Sequence, residues 1–168
     1  HLQVRFQQAV SGNLRSREMV FRGGVRGVYG PVSSWEESLD PDQPDRLGPQ
    51  AVLLKCDQLS LVDMPAPSAD RRALELEATG NIVVQGQSFT ARCARMSYAE
   101  TKGLLVLEGD GRSDAELFRQ EYVGGPRSQT SARKIYYWHR LDQVRVEGAR
   151  WFEMNQFPQA QQPQAAKP

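Results

Sequence analysis

One short pattern, written three times, constrains this chain more than anything else in it. The copies are Lys55-Cys56-Asp57-Gln58-Leu59-Ser60-Leu61, Arg92-Cys93-Ala94-Arg95-Met96-Ser97-Tyr98 and Ser131-Ala132-Arg133-Lys134-Ile135-Tyr136-Tyr137. Each is followed by an apolar alternation ending at or near glycine, starting at Leu74, Leu105 and Val144. From Cys93 and Ala132 to that strand is 12 residues, and from Cys56 it is 18, with Pro65, Pro67 and Ser68 in the difference. Counted at Cys56, Cys93 and Ala132, the copies recur 37 and 39 residues apart. A fixed period of this length, built from strand-like units, implies stacked repeats in which no unit closes its own core.

The apolar spacing inside the pattern predicts a bend. Phe89, Ala91 and Cys93 are two apart, then Met96 and Tyr98 follow after a single step of three. Leu54, Cys56, Leu59, Leu61 and Ala132, Ile135, Tyr137 make the same step at the same place. Two is the period of a half-buried strand, and one added residue shifts the inward face, as a β-bulge or a corner between sheets requires. Stacking should align these corners, giving two curved, mostly antiparallel sheets that face each other across an apolar slot.

The remaining segments also alternate as strands: Leu2 to Phe6, Met19 to Tyr29, Ala51 to Val62, Leu74 to Gln85, Ser88 to Tyr98, Leu104 to Glu108, Ala115 to Tyr122, Gln129 to Trp138 and Val144 to Phe152. Glycine-marked turns separate them, and no stretch holds a helical period. The reading is all β, one domain over 1–156 with a long loop at 31–50 and a Pro-rich insertion at 65–69. A Gln/Pro-rich tail at 157–168 is expected to be disordered, having too little apolar surface to order itself. With 39% hydrophobic residues a core exists but is thin. A net charge of +1, with the two signs mixed, argues against nucleic acid as a partner. No apolar run approaches the roughly 18 residues of a membrane-spanning helix. The chain begins without Met and already in strand pattern, so it is expected to be a fragment or processed form.

Catalytic and metal readings do poorly. His139, the only histidine besides His1, sits in a turn without an evident partner and nucleophile, so a solvated turn residue is the plainer reading. Asp40, Asp42 and Asp45 lack the glycine and terminal Glu of a calcium loop and read as a solvated acidic loop. Gly109-Asp110-Gly111 and Gly23-Gly24 precede no helix and are strand-end glycines, not phosphate loops.

Gly80-Asn81-Ile82-Val83-Val84, then Ala91 to Tyr98, then Leu105 to Gly109, with weaker copies before and after, resemble the OstA/LptA-like repeat of lipopolysaccharide transport. The resemblance covers roughly residues 19 to 152, as a divergent member or a fragment. The loop at 31–50 and the insertion at 65–69 are additions to the compact family repeat. It implies an open β-jellyroll that stacks end to end and holds lipopolysaccharide acyl chains in its slot, in the periplasm of a diderm bacterium, free or tethered through further segments. It implies no enzyme activity and no cofactor. The expected partners are lipopolysaccharide or a related lipid, and like-folded proteins or a second copy, joined head to tail by the edges at Leu2 to Phe6 and Met19 to Tyr29 and at Val144 to Phe152.

By inward parity Leu76, Val84, Phe89, Met96, Tyr98, Leu107, Ile135, Tyr137 and Val146 should line the slot. Each taken singly reads as core; as a set they leave apolar width for a lipid. Arg92, Arg95, Arg133 and Lys134 flank the corner and could meet lipid phosphates at the slot mouth, solvated strand charge being the plainer role of each. Cys56 and Cys93 hold the same repeat position, and an oxidising periplasm permits a disulfide. Because Ala132 serves in the third copy, two small buried apolar residues are the favoured reading. The alternative function is a structural β-repeat that joins partners by edge pairing without binding lipid.

Overall fold

Burial follows the alternating rule on both sides of each repeated pattern. In the computed structural model, which describes residues 1–32, 39–42, 48–65, 72–120 and 125–154, Leu54, Cys56, Leu59 and Leu61 are buried while Lys55 and Asp57 are exposed. Ala91 and Met96 are buried between exposed Arg92, Arg95 and Ser97, and Ala132, Ile135 and Tyr137 repeat the arrangement around exposed Arg133. The step of three therefore keeps apolar side chains on one face through a bend.

Among the described residues the strands are β1 (Leu2–Arg5), β2 (Ala9–Asn13), β3 (Glu18–Tyr29), β4 (Val52–Pro65), β5 (Arg72–Gln85), β6 (Phe89–Ala99), β7 (Leu104–Glu108), β8 (Ala115–Gln120), β9 (Arg127–Trp138) and β10 (Gln143–Met154), with a 3₁₀ turn at Glu100–Lys102. They form a single antiparallel sheet in the order β1-β3-β4-β5-β6-β7-β9-β10. Two positions in it are shared. β1 and β2 both pair with β3, beside Arg26–Tyr29 and Glu18–Arg22 respectively, and β7 and β8 together fill the place between β6 and β9.

Each position breaks at the same height. Register shifts fall between Arg22 and Val25, Lys55 and Gln58, Thr79 and Ile82, and Ala149 and Trp151. The shared positions break by leaving the sheet, at 6–8 and at 109–114. The anticipated pair of sheets is thus one sheet folded at a corner into two half-sheets, its hydrogen bonding carried around the fold. One half holds β1, β8, residues 25–29, 52–56, 82–85 and 89–93, and the start of β9; the other holds β2, β7, residues 18–22, 58–65, 72–79 and 95–99, and the end of β9.

The two halves face each other. Phe89 and Tyr137 lie in different halves on strands that are not neighbours, yet their rings are 5.5 Å apart, edge to face. One core cluster draws from both halves, including Val25, Leu54, Ile82, Ala91 and Leu117 from one and Leu59, Ala78, Met96, Leu107 and Ile135 from the other. Each large apolar side chain fully buried there contributes roughly 1.5–3 kcal/mol.

At the corner the β5 backbone takes left-handed geometry, Gly80 at φ +78° and Asn81 at φ +48°. A Cβ on Gly80 would run into the Asp57 carboxylate, which accepts a 2.8 Å hydrogen bond from Asn81 Nδ2. Only glycine meets both demands without strain.

Some expectations change. Met19 to Tyr29 is interior, because β2, whose Ala-Val-Ser-Gly-Asn sequence lacks alternation, joins β1 in covering β3. The outer positions of the described sheet are β1 with β2, and β10. The loop at 31–50 is not merely solvated where it is described. Asp42 pairs with Arg26 and Arg5, and Asp40 lies 3.0 Å from Arg5; the hydrogen bond from Arg26, first among the causes, holds the Asp42 carboxyl below its ordinary range. Val28, on the outward parity of β3, is nevertheless 0% exposed and Leu39 5%, and neither belongs to the main core. The loop straps the outer face of β1 and β3. Asp45, most of the 65–69 insertion and the 157–168 tail lie outside the described residues.

Gly80→Ala should lower stability by about 1–3 kcal/mol, the cost of holding a non-glycine residue left-handed. Gly111→Ala, at φ +88° with nothing within 4 Å of a new Cβ, carries the backbone strain alone and should cost less. Urea unfolding of the two variants measures the difference as the contribution of the Asp57 contact.

Candidate apolar slot and its mouth

Between the half-sheets, on the side away from the corner, lies a cavity of about 610 Å³. Leu54 and Val84 enter it from one half and Leu59, Leu76, Met96 and Leu105 from the other, with Tyr29, Phe89, Tyr98, Tyr137 and His139 toward its opening. The volume lies within the ordinary range for ligand sites, roughly 300–1,000 Å³. Near the corner Ala78, Ala115 and Ala132 pack with Ile82 and Ile135, all at 2% exposure or less, and none of the five lines the cavity.

The nine residues expected to line the slot all lie in or against the core between the half-sheets. Val84, Met96, Leu107, Ile135 and Tyr137 are buried in the core cluster, and Leu76, Phe89, Tyr98 and Val146 pack against it half-buried. They divide into two groups. Leu76, Val84, Phe89, Met96, Tyr98 and Tyr137 line the cavity, whereas Leu107 and Ile135, at 0% exposure, and half-buried Val146 do not.

Arg92, Arg95, Arg133 and Lys134 stand elsewhere than the slot mouth. Each lies on the outward face near the corner: Arg92 over the Phe118 ring at 6.0 Å, Arg95 paired with Glu77, Arg133 against Gly148, and Lys134 2.6 Å from Glu108 and 5.3 Å from the Tyr136 ring centre. The reason is parity. Arg92 and Arg95 immediately precede inward Cys93 and Met96, so they point out. These residues were placed by their nearness to the corner alone.

The groups that do stand at the mouth were not anticipated. Tyr29 Oη donates a 2.8 Å hydrogen bond to Glu100 Oε1, and Glu100 Oε2 accepts the Leu74 N–H at 2.8 Å. Burial, followed by the bond to Glu100, pushes the Tyr29 phenol up to about 12. On the other side Arg119 pairs with Asp142, with its guanidinium 5.4 Å from the Tyr137 ring centre, and Tyr137 Oη reaches Asp142 at 3.3 Å. Burial also raises the Tyr98 and Tyr137 phenols. His139 is not simply solvated: its Nε2 lies 3.2 Å from Tyr98 Oη, and burial first, then Arg140, depress its pKa. The signal for this rim was available, since the turns at 100–103 and 139–142 end strands of one half while Tyr29, Phe89 and Arg119 end strands of the other.

Cys56 and Cys93 are free thiols. Cys56 is on β4 and Cys93 on β6, with Ile82 of β5 between them. Two strand spacings amount to about 9–10 Å, beyond the roughly 7 Å limit between Cα atoms that a disulfide tolerates. The disulfide reading is therefore wrong, because equivalent repeat positions here are not adjacent strands. Among the described residues, no group of three or more His, Cys, Asp or Glu could hold a metal ion, and no helix is long and apolar enough to cross a membrane.

The solved structure of LptH, the LptA-homologous periplasmic component of the lipopolysaccharide transport device of Pseudomonas aeruginosa, is similar to this chain with a TM-score of 0.57. Identity is 12%, and the match covers 89% of this chain and 83% of that one. The likeness is one of fold: the chain is an LptA-like β-jellyroll. No protein-family model matches the sequence, and no curated protein does.

Burial pushes both thiols up to about 12, so they stay protonated in the fold. A thiol-reactive disulfide reagent at pH 8 should leave Cys56 and Cys93 unmodified in native protein and titrate both in denaturant. Because the folded pKa values are raised, their contribution to stability is complete below about pH 9, the ordinary thiol value, and is lost as pH climbs toward 12. Tyr29 adds to the loss between about pH 10 and 12. Alkaline unfolding followed by circular dichroism should therefore begin later in the Cys56→Ala/Cys93→Ala variant.

Proposed function

We propose that this chain is a non-enzymatic lipid-carrying module that holds acyl chains between its half-sheets, its cargo being lipopolysaccharide or a related lipid in transit through the periplasm. The observation that carries this reading is the apolar cavity of about 610 Å³ set between half-sheets of an LptA-like fold. Its wall offers aliphatic, thioether and aromatic surface along the strands, with polar groups confined to the rim. That distribution suits a long apolar chain with a polar end. Leu76, Val84, Phe89, Met96, Tyr98 and Tyr137 are the proposed contacts, whereas Leu107 and Ile135 support them from within the core and Val146 packs against its edge. The outward basic residues take no part in holding the cargo.

The second reading, a spacer that joins like-folded partners by edge pairing, is favoured by β10 at one end of the described sheet, which has no neighbouring strand on its outer side among the described residues. The two readings are compatible, and bound lipid separates them.

Mass spectrometry of solvent extracts from protein purified without detergent should return stoichiometric acylated lipid. A fluorescent polyene fatty acid should bind the emptied protein, and Leu76→Trp, which fills the slot from a half-exposed position, should weaken that binding about ten-fold, equivalent to ~1.4 kcal/mol. A spacer alone yields no co-purified lipid and no difference between the two proteins.

A further inference from the structure

The mouth of the slot is tied shut by two contacts that span it. Tyr29 and Glu100 are separated along the sheet by β4 and β5, with Tyr29 at the outer end of one half and Glu100 at the outer end of the other. Their hydrogen bond therefore crosses the slot. Arg119 sits beside Ser128 at the outer end of β8, while Asp142 lies in the turn beyond Trp138 at the far end of β9. Their ion pair crosses it too. The Phe89 and Tyr137 rings meet across the same opening, with Arg119 against the Tyr137 ring.

We infer that Tyr29–Glu100 and Arg119–Asp142 form a releasable clasp, through which an elongated apolar ligand passes sideways into the slot; the ligand, but not the clasp itself, rests on the lipid-carrying reading. Three features separate these contacts from ordinary packing. They join opposed halves, whereas the outward pairs Arg95–Glu77 and Lys134–Glu108 join neighbouring positions in one half. They are polar and lie at the rim, with the Asp142 side chain 61% exposed and that of Arg119 25%. An ion pair so exposed contributes little to holding a fold, yet it can set how often a mouth opens. Lastly, the opposite side of the slot is continuous backbone hydrogen bonding over a dense core. Parting the mouth costs two side-chain contacts and an aromatic edge, whereas parting the corner would break the sheet.

The clasp is testable without lipid. In a Cys56→Ala/Cys93→Ala background, Leu76→Cys places one thiol inside the slot, and its rate of reaction with a bulky maleimide reports opening. Tyr29→Phe removes one tie and keeps the ring. Asp142→Asn removes the charge of the other, at a φ of +51° that asparagine tolerates. The pair of substitutions should speed labelling by about ten-fold or more, the scale of one lost hydrogen bond to a charged group, while the unfolding midpoint moves little. Tyr136→Phe, whose hydroxyl meets Glu147 on the outer face, should leave the rate unchanged. If the double variant does not fold, Tyr29→Phe alone, which leaves Glu100 holding the Leu74 N–H, should still speed labelling, by less than the pair.

Unchanged labelling in a folded variant overturns the clasp. Release of a bound fatty acid probe should also quicken, with little change in affinity. Faster labelling in a protein that binds no probe supports the clasp and overturns the lipid reading instead. Probe binding with unaltered labelling and release overturns the clasp alone.

Discussion

The corner is the constraint on which the rest of this structure depends. A sheet can be folded over only if its inward face stays inward on both sides, and if buried backbone groups keep their partners through the fold. Both conditions must be met at every strand position and at the same height. The chain meets them by different local means: a two-residue glycine bulge in β3, the Gly80-Asn81 bulge of β5 against the Asp57 carboxylate, the step of three in β4, β6 and β9, and outright interruption between β1 and β2 and between β7 and β8. At this height buried alanines pack with Ile82 and Ile135, and the slot lies beyond them toward the mouth.

Much of this was legible in the sequence because it rests on spacing. Period two, the single step of three and its recurrence gave the strands, the inward face and the folded geometry, and burial at Leu59, Met96 and Ile135 agrees residue by residue. What was not legible concerns relations that spacing does not encode. β2 has no alternation because it lies at the sheet margin with all its residues exposed, so its pattern carries no burial signal. The lesser reading of the basic residues, at the slot mouth, fails on parity, and their plainer role as outward strand charge fits their positions. The lesser reading of Cys56 and Cys93, a disulfide, fails because each repeat contributes two strands, which sets equivalent positions two strands apart. The rim at Tyr29, Glu100, Arg119 and Asp142 joins residues that only the folded twist brings together.

The segment at 39–42 shows how an addition to a repeat can be accommodated without disturbing it. Asp40 and Asp42 engage Arg5 on β1 and Arg26 on β3, and buried Leu39 accompanies a Val28 that the sheet's own parity would leave outside. This small second layer lies on the outward surface, while Pro31, Pro49 and Gln50 at the two ends of the loop line the slot's cavity. Ion pairs this exposed add little by themselves, and the apolar burial beneath them carries the attachment.

The divided position formed by β7 and β8 has a practical consequence. Where the corner is made by a bulge of fixed length, as in β3 and β5, one residue more or fewer would turn the following half-strand inside out. Here the chain leaves the sheet at Gly109 and returns at Ala115 through a turn ordered by Asp110, whose carboxylate accepts the Arg112 and Ser113 N–H groups. Each half-strand takes its register from β6 and β9, not from its continuation. Lengthening this excursion costs only loop-closure entropy, about 0.6 kcal/mol for each doubling. A foreign peptide can therefore be displayed on the convex ridge at 110–113 while the slot behind it keeps its shape.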